Sequence, residues 1–431
     1  TTLPPETLLT ALATQVGQAF SPEQARADAD VVQSVFADHG YPLTRVTDIS
    51  FDPEAGTLSF VIQQAVISEI RVEGNTRTRE STIRRALTVQ PGQLFTEPAI
   101  RASLANLQQL GIFADVNATT TAGAQPGQVI VTFVVAEQRT GNLQIGGSYN
   151  QVGGFSGYLT YSEANLFGRA QRASLQLQGG ASDIFQLSYF IPFLDARQTS
   201  LGASLYRRDT EREVFTTGDI DPARYSALRT GGTVALSRPI APATRLAATL
   251  RVDRVRADGG ADLPDLLAEP SDVRSLGLNA IRDTRLNPLY PTGGAYAQLG
   301  LEQAGLLGGD TFTRLNGELR RYWPLERPPQ PTGDQVQERV RPPRVLAARL
   351  LAGTHLGTPP FLDQFFLGGG ETLRGYRQDR FLGRHVLLLN TELRVPFSES
   401  LQGVLFVDAG DAWGGRFADA FGDARARLHL G

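Results

Sequence analysis

Along the first part of the chain, apolar residues recur at helical spacing. Leu8, Leu12 and Val16 fall on one face of a helix that Pro5-Glu6 opens and Gly17 ends. Ser21-Pro22-Glu23 starts a second helix, with Ala25, Ala29, Val32 and Phe36 at i, i+3/i+4 spacing and a stop at Gly40. Two strand-like runs follow, Leu43–Phe51 and Thr57–Gln64, joined by the turn Asp52-Pro53-Glu54-Ala55-Gly56. The order then repeats with an opening strand, Ile67–Val72. After it come a short helix Arg79–Leu87, a break at Gln90-Pro91-Gly92, and a helix capped by Thr96 that carries Ile100, Leu104, Leu107 and Leu110. Gly111 stops that helix, and strands follow at Ala114–Thr120 and Val129–Glu137. The unit is strand-helix-helix-strand-strand, repeating at roughly 70 residues. The first copy shows only the last four elements.

From about residue 141 the period becomes two. Leu246, Ala248, Leu250 and Val252 alternate with Thr249, Arg251 and Asp253. Leu299 and Leu301 alternate with Gln298 and Glu302, and Leu315, Gly317 and Leu319 with Asn316, Glu318 and Arg320. Such runs give roughly thirteen strands plus the start of another, inside the range of about 8–26 for bacterial membrane barrels. Short turns at Phe193-Leu194-Asp195 and Ile240-Ala241-Pro242 contrast with long polar stretches at Asp209–Arg224 and Ala257–Asp272. Short turns on one side and long loops on the other are the outer-membrane pattern, and they favour a spanning barrel over a soluble sandwich.

Composition narrows the function classes. The 431 residues carry a net charge of -3, with no basic footprint for nucleic acid. All 41 basic residues are Arg, and Met is absent, so the chain reads as processed or trimmed to a fragment. Cys is absent too, which excludes disulfides, thiolate metal sites and a Cys nucleophile. His39, His355, His385 and His429 are too scattered for a zinc site. No Ser/His/Asp or His/Glu cluster has useful spacing. Gly368-Gly369-Gly370 lacks a P-loop Lys and reads as loop flexibility. Neither catalysis nor a cofactor is expected.

Five motifs then carry a family resemblance. Ile70-Arg71-Val72-Glu73-Gly74-Asn75-Thr76 resembles the opening of a POTRA module. Asn165-Leu166-Phe167-Gly168-Arg169 and the segment from Asp283-Thr284-Arg285 to Gly293-Gly294 resemble turns of BamA/TamA-type barrels. Leu373-Arg374-Gly375-Tyr376 is similar to that family's Arg-Gly-aromatic loop motif, and Phe406-Val407-Asp408-Ala409-Gly410 to the inward strand motif that this Arg faces. The resemblance implies α+β POTRA modules followed by an all-β antiparallel transmembrane barrel of 16 strands, the last of them missing here. The domains would be a POTRA module lacking its first strand at 1–65, a complete one at 66–139, and the barrel at 140–431. The chain's end, Asp423–Gly431, looks like the start of a strand.

The resemblance also implies a role. The protein would fold and insert outer-membrane β-barrel precursors from the periplasmic side. Its partners would be those unfolded precursors, outer-membrane lipids, and accessory lipoproteins or a scaffold protein. On the strand pattern alone, Leu388, Asn390, Glu392 and Arg394 share one face of Val386–Val395, and Phe406, Asp408 and Gly410 face the same lumen. The loop His355–Arg384 would then dock through Arg374, Gly375 and Tyr376 onto Glu392 and Asp408. An exposed loop tip is the plainer alternative on spacing alone. The resemblance implies a lateral seam at Asn142, Gly146, Gly147 and Tyr149, where the first strand would meet the last; a simple barrel bend that needs Gly is the plainer alternative. Client strands would add to an edge at Val116, Thr119 and Thr120; an edge that merely packs on the adjacent module is the plainer alternative, since edges are usually protected. Two other functions compete: a two-partner secretion transporter exporting a client through the lumen, and a passive porin or receptor barrel.

Overall fold

The computed structural model describes residues 2–150, 152–195, 197–215, 222–259, 269–326, 342–398, 401–415 and 427–431. They group into two compact units, Thr1–Gly141 with Glu163–Gln171, and Asn142–Ser162 with Arg172–Gly431.

The first unit begins with α1 (Pro5–Leu9), α2 (Pro22–Asp38), β1 (Arg45–Asp52) and β2 (Thr57–Gln63). Ser21 caps α2, its Oγ accepting from the Gln24 N–H at 3.3 Å. Buried Leu8, Val32 and Phe36 pack with Leu12, Tyr41, Val46 and Ile62 into a small core. The sequence predicts a first helix reaching Val16, but α1 ends at Leu9 and Val16 is fully exposed. The cause is Asp28. Its buried carboxylate accepts the N–H groups of Ala13 and Thr14 at 2.8 and 3.0 Å, which gives the chain a non-helical outlet for those donors. These bonds outweigh the burial that opposes ionisation and hold the carboxyl below its ordinary range.

The second copy has β3 (Val66–Glu73), α3 (Glu80–Ala86), α4 (Glu97–Gln109), β4 (Phe113–Ala122) and β5 (Gln128–Glu137). Thr96 stands at the N-cap of α4, but its side chain makes no capping bond. The sheet order is β3-β5-β4, with β3 parallel and β4 antiparallel to β5. Ile67, Ile83, Leu107, Ile112, Val131 and Phe133 are fully buried where the helices cover this sheet.

The second unit is one antiparallel sheet of 13 named strands. In chain order these are β6 (Gly141–Asn150), β7 (Gly154–Leu166), β8 (Gln171–Gly180), β9 (Ser182–Ile191), β10 (Ser200–Val214), β11 (Ala223–Ala241), β12 (Thr244–Asp258), β13 (Ser271–Asp283), β14 (Gly294–Pro324) and β15 (Val345–Gly357). A small hairpin of its own, β16 (Phe365–Leu367) with β17 (Phe381–Gly383), interrupts the run. Then come β18 (His385–Pro396), β19 (Gln402–Trp413) and β20 (His429–Leu430). Each sheet strand pairs with its neighbour in the chain, and β6 and β20 form the two ends among the described residues. β14 is a doubled strand. Its first half, Tyr296–Gly309, pairs with β13, and its second, Phe312–Pro324, with β15.

The two-residue period separates two surfaces. Leu246, Leu250, Val252, Leu299, Leu315 and Leu319 are exposed on the outside, whereas Asp253 is buried on the inside. Leu405 is 70% exposed and Asp408, three residues on, 0%. The inner face is not uniformly polar. Leu388 and Val386 point inward and are buried with Leu367, Leu373 and Ala412 in an apolar cluster. His355, expected in the loop, instead lies within β15, near its end, as a buried strand residue. The predicted polar stretches at Asp209–Arg224 and Ala257–Asp272 fall partly outside the described residues, at 216–221 and 260–268. The run Asp423–Gly431 does so at 423–426.

Candidate functional site

The segment between β15 and β18 supplies the most constrained chemistry of the second unit. Arg374 lies in it, and its fork meets the carboxylate of Asp408 from β19. Nε donates to Oδ2 at 2.7 Å and Nη2 to Oδ1 at 2.6 Å. The Arg374 backbone N–H donates to Oδ2 at 3.1 Å. Nη1 donates to Glu392 Oε1 on β18 at 2.7 Å, and Glu392 in turn pairs with Arg394 at 2.8 Å. This is the bidentate geometry that Arg makes and Lys does not. The guanidinium also lies 3.6 Å above the Phe406 ring, a cation–π contact.

The backbone around Arg374 is shaped for this approach. Gly368 has φ +122°, and a Cβ there would meet the Arg377 carbonyl oxygen at 2.2 Å. Its N–H donates to Thr372 Oγ1 at 2.9 Å. Of the three glycines read as flexible, Gly368 is therefore a site of close backbone approach in a defined loop. Gly375, at φ +88°, turns the chain after Arg374. Tyr376 then packs edge-on against Phe381 at 5.0 Å. Asn390 was not singled out by the sequence reading, yet it ties the loop to the wall. Its Nδ2 donates to the Thr372 carbonyl at 2.7 Å and to Asp408 Oδ1 at 2.8 Å. Its place two residues before Glu392 on the inward face was the available signal.

Asn142, Gly146, Gly147 and Tyr149 all lie on β6, at one end of the sheet. The two glycines make room for rings of β7. A Cβ at Gly146 would meet Tyr158 Oη at 2.5 Å, and one at Gly147 would meet Phe155 at 2.6 Å. Thr119 and Thr120 are exposed on β4, an edge strand of its three-stranded sheet. Val116 differs: its side chain is buried in the core, so only its backbone is on offer at that edge.

A second network lies inside the first unit. Glu137, at the end of β5, accepts from Thr76 Oγ1 at 2.7 Å and from the N–H groups of Arg77 at 2.9 Å and Thr78 at 2.6 Å. Burial opposes its ionisation, but these bonds outweigh it and bring the carboxyl down to about 2. Thr78 Oγ1 accepts from Asn165 Nδ2 at 2.9 Å, and the Arg79 N–H donates to the Gly168 carbonyl at 2.9 Å. Gly168 has φ +69°, and a Cβ would sit 2.2 Å from the Arg77 carbonyl oxygen. The Asn165–Arg169 motif is thus built to lie against the turn that follows β3.

The comparisons accord with this construction. A model of the Omp85 superfamily domain matches residues 165–429, and a POTRA model, described as surface antigen variable number repeat, matches 65–138. The outer membrane protein assembly factor BamA of Nitratidesulfovibrio vulgaris is 25% identical over 423 residues, covering 91% of this chain and 50% of that protein. The chain spans about half the length of the curated relatives it matches. Among solved structures, BamA from Haemophilus ducreyi lacking POTRA domains 1-3 superposes with a TM-score of 0.66 at 18% identity, covering 99% of this chain and 89% of that one. CdiB from Escherichia coli gives 0.66 at 15% identity, covering 95% and 77%. At these identities both structures speak for the fold alone.

Proposed function

The chain belongs to the Omp85 superfamily, and on that premise we propose that it folds and inserts β-barrel client proteins into the outer membrane. It is an outer-membrane protein whose POTRA modules lie in the periplasm. The observation that carries the proposal is the position of β6. Among the described residues it stands at one end of the sheet, the place at which a further strand would add. A client strand that pairs there gains hydrogen bonds that lipid cannot supply, each sparing several kcal/mol of unsatisfied backbone. No catalytic group and no chemical energy source enters this mechanism. The β4 edge at Thr119 and Thr120 offers clients a first strand-addition site on the periplasmic side.

Reconstitution tests the reading. The full-length protein is placed in liposomes, and a urea-denatured outer-membrane barrel is added as client. Folded client is scored by its heat-modifiable mobility in cold gels. We expect faster client folding than in empty liposomes, and loss of that gain when a disulfide locks Asn142–Tyr149 to the closing strand. Undiminished folding with the lock in place refutes the seam. A large steady single-channel conductance without client folding would mark a passive pore instead.

A further inference from the structure

A second ionic cluster grips the other limb of the same loop. Asp363, in a single 3-10 turn at Phe361–Asp363, is 3% exposed. Its Oδ1 lies 3.0 Å from Arg251 Nη1, 3.6 Å from Arg314 Nη2 and 3.7 Å from Arg229 Nη2. These arginines stand on β12, β14 and β11. They also hold the backbone of the turn, Arg229 Nη2 donating to the Leu362 carbonyl at 3.3 Å and Arg314 Nη2 to that of Asp363. Next to it, Phe361 is buried with Val214, Tyr225 and Leu382.

The charges balance only when the loop is present. Asp253 pairs with Arg229 at 2.8 Å, and Glu302 with Arg251 at 2.9 Å. The wall therefore holds three cations against two carboxylates, and Asp363 supplies the third. At Arg374 the polarity is reversed, since there the loop brings the cation and the wall the two carboxylates. A shift that carried either limb to the other's place would set like charges together, so the pair fixes the loop's direction and register.

We propose that Arg229, Arg251 and Arg314 form a carboxylate-binding site on the inner wall, that Asp363 is its built-in ligand, and that this site holds the loop independently of Arg374. The proposal goes beyond the insertase reading and does not depend on it.

The test uses the full-length protein in liposomes. The chain has no Cys, so Leu367→Cys supplies a reporter thiol in it. Leu367 sits on the loop's own hairpin and is buried, so its thiol is shielded while the loop is docked. Labelling by a bulky polyethylene-glycol maleimide then reports release of the loop. Asp363→Asn should speed labelling roughly ten- to a hundredfold, the loss expected for charge-assisted bonds. Combined with Arg374→Ala, it should label faster than either single variant. Adding Arg229→Gln to Asp363→Asn rebalances the charges and should slow labelling again. Parental labelling in Asp363→Asn, or a double variant no faster than Arg374→Ala alone, overturns the proposal. Each variant is checked for a folded barrel by heat-modifiable mobility. Should Asp363→Asn not fold, Arg251→Gln poses the same question from the wall, and parental labelling there overturns the proposal equally. Client insertion is scored separately, so its failure alongside parental labelling counts against the insertase reading and not only the site.

Discussion

Replacing Arg374 by Ala should loosen the loop while leaving the strands paired. The substitution removes three charge-assisted side-chain bonds, two to Asp408 and one to Glu392. Asp408 is 0% exposed and cannot turn to solvent in place. Breaking a buried pair from one side typically costs about 3–5 kcal/mol. Asp408 keeps the Asn390 amide and the backbone N–H at position 374, so the low end, about 3 kcal/mol, is the apt figure. That corresponds to roughly a hundredfold more open loop. Hydrogen exchange read by mass spectrometry over residues 368–383 measures this opening directly. Arg374→Lys keeps the charge but loses the fork, and should fall between parent and Ala. Asp408→Asn added to Arg374→Ala should cost little more, because no unpaired buried charge then remains. Exchange in Arg374→Ala within a few-fold of the parent would refute the reasoning.

Other perturbations test separate parts of the molecule. Glu137 ionises with a pKa of about 2 against an ordinary 4.5, so its stabilisation is complete above the ordinary value and is lost as pH falls through about 2. Glu137→Gln should abolish that acid dependence and loosen the Thr76–Arg79 amides at neutral pH by about 1–2 kcal/mol, allowing for partial exposure, as read by hydrogen exchange. Gly168→Val meets both a left-handed backbone and the Arg77 carbonyl, and should weaken the turn by about 1–3 kcal/mol, seen as faster proteolysis around Asn165–Arg169. Gly146→Val should lower the yield of heat-modifiable barrel by clashing with Tyr158, and Tyr158→Ala should restore it; unchanged yield in the single variant would contradict the packing described for β6.

What the sequence makes legible follows from how local each cause is. The alternation of Leu250 and Val252 with Arg251 and Asp253 is dictated by the strand pleat, so inner and outer faces can be assigned before any coordinates. The Arg374 contacts became legible only through a motif. Spacing alone leaves Arg374 equally suited to an exposed tip, because 34 residues separate it from Asp408. The end of α1 was hidden for a related reason. Leu8, Leu12 and Val16 satisfy helical spacing, and nothing local reveals that Asp28 takes the Ala13 and Thr14 N–H groups. The arginine cluster at Asp363 was invisible because it is a product of register. Arg229, Arg251 and Arg314 come from three strands, each an unremarkable polar residue in its own alternation.

The strand order also bears on how this protein itself comes to be built. Since, among the described residues, every strand of the thirteen-stranded sheet pairs with the next sheet strand along the chain, with the β16–β17 hairpin set between β15 and β18, each can zip onto its predecessor without a partner distant in sequence. The entropy cost of closing the spans between them grows only slowly with their length. Pairings between strands close in sequence are the local contacts that speed folding. A lesion in one strand should stall growth at that point and leave the neighbours already laid down intact.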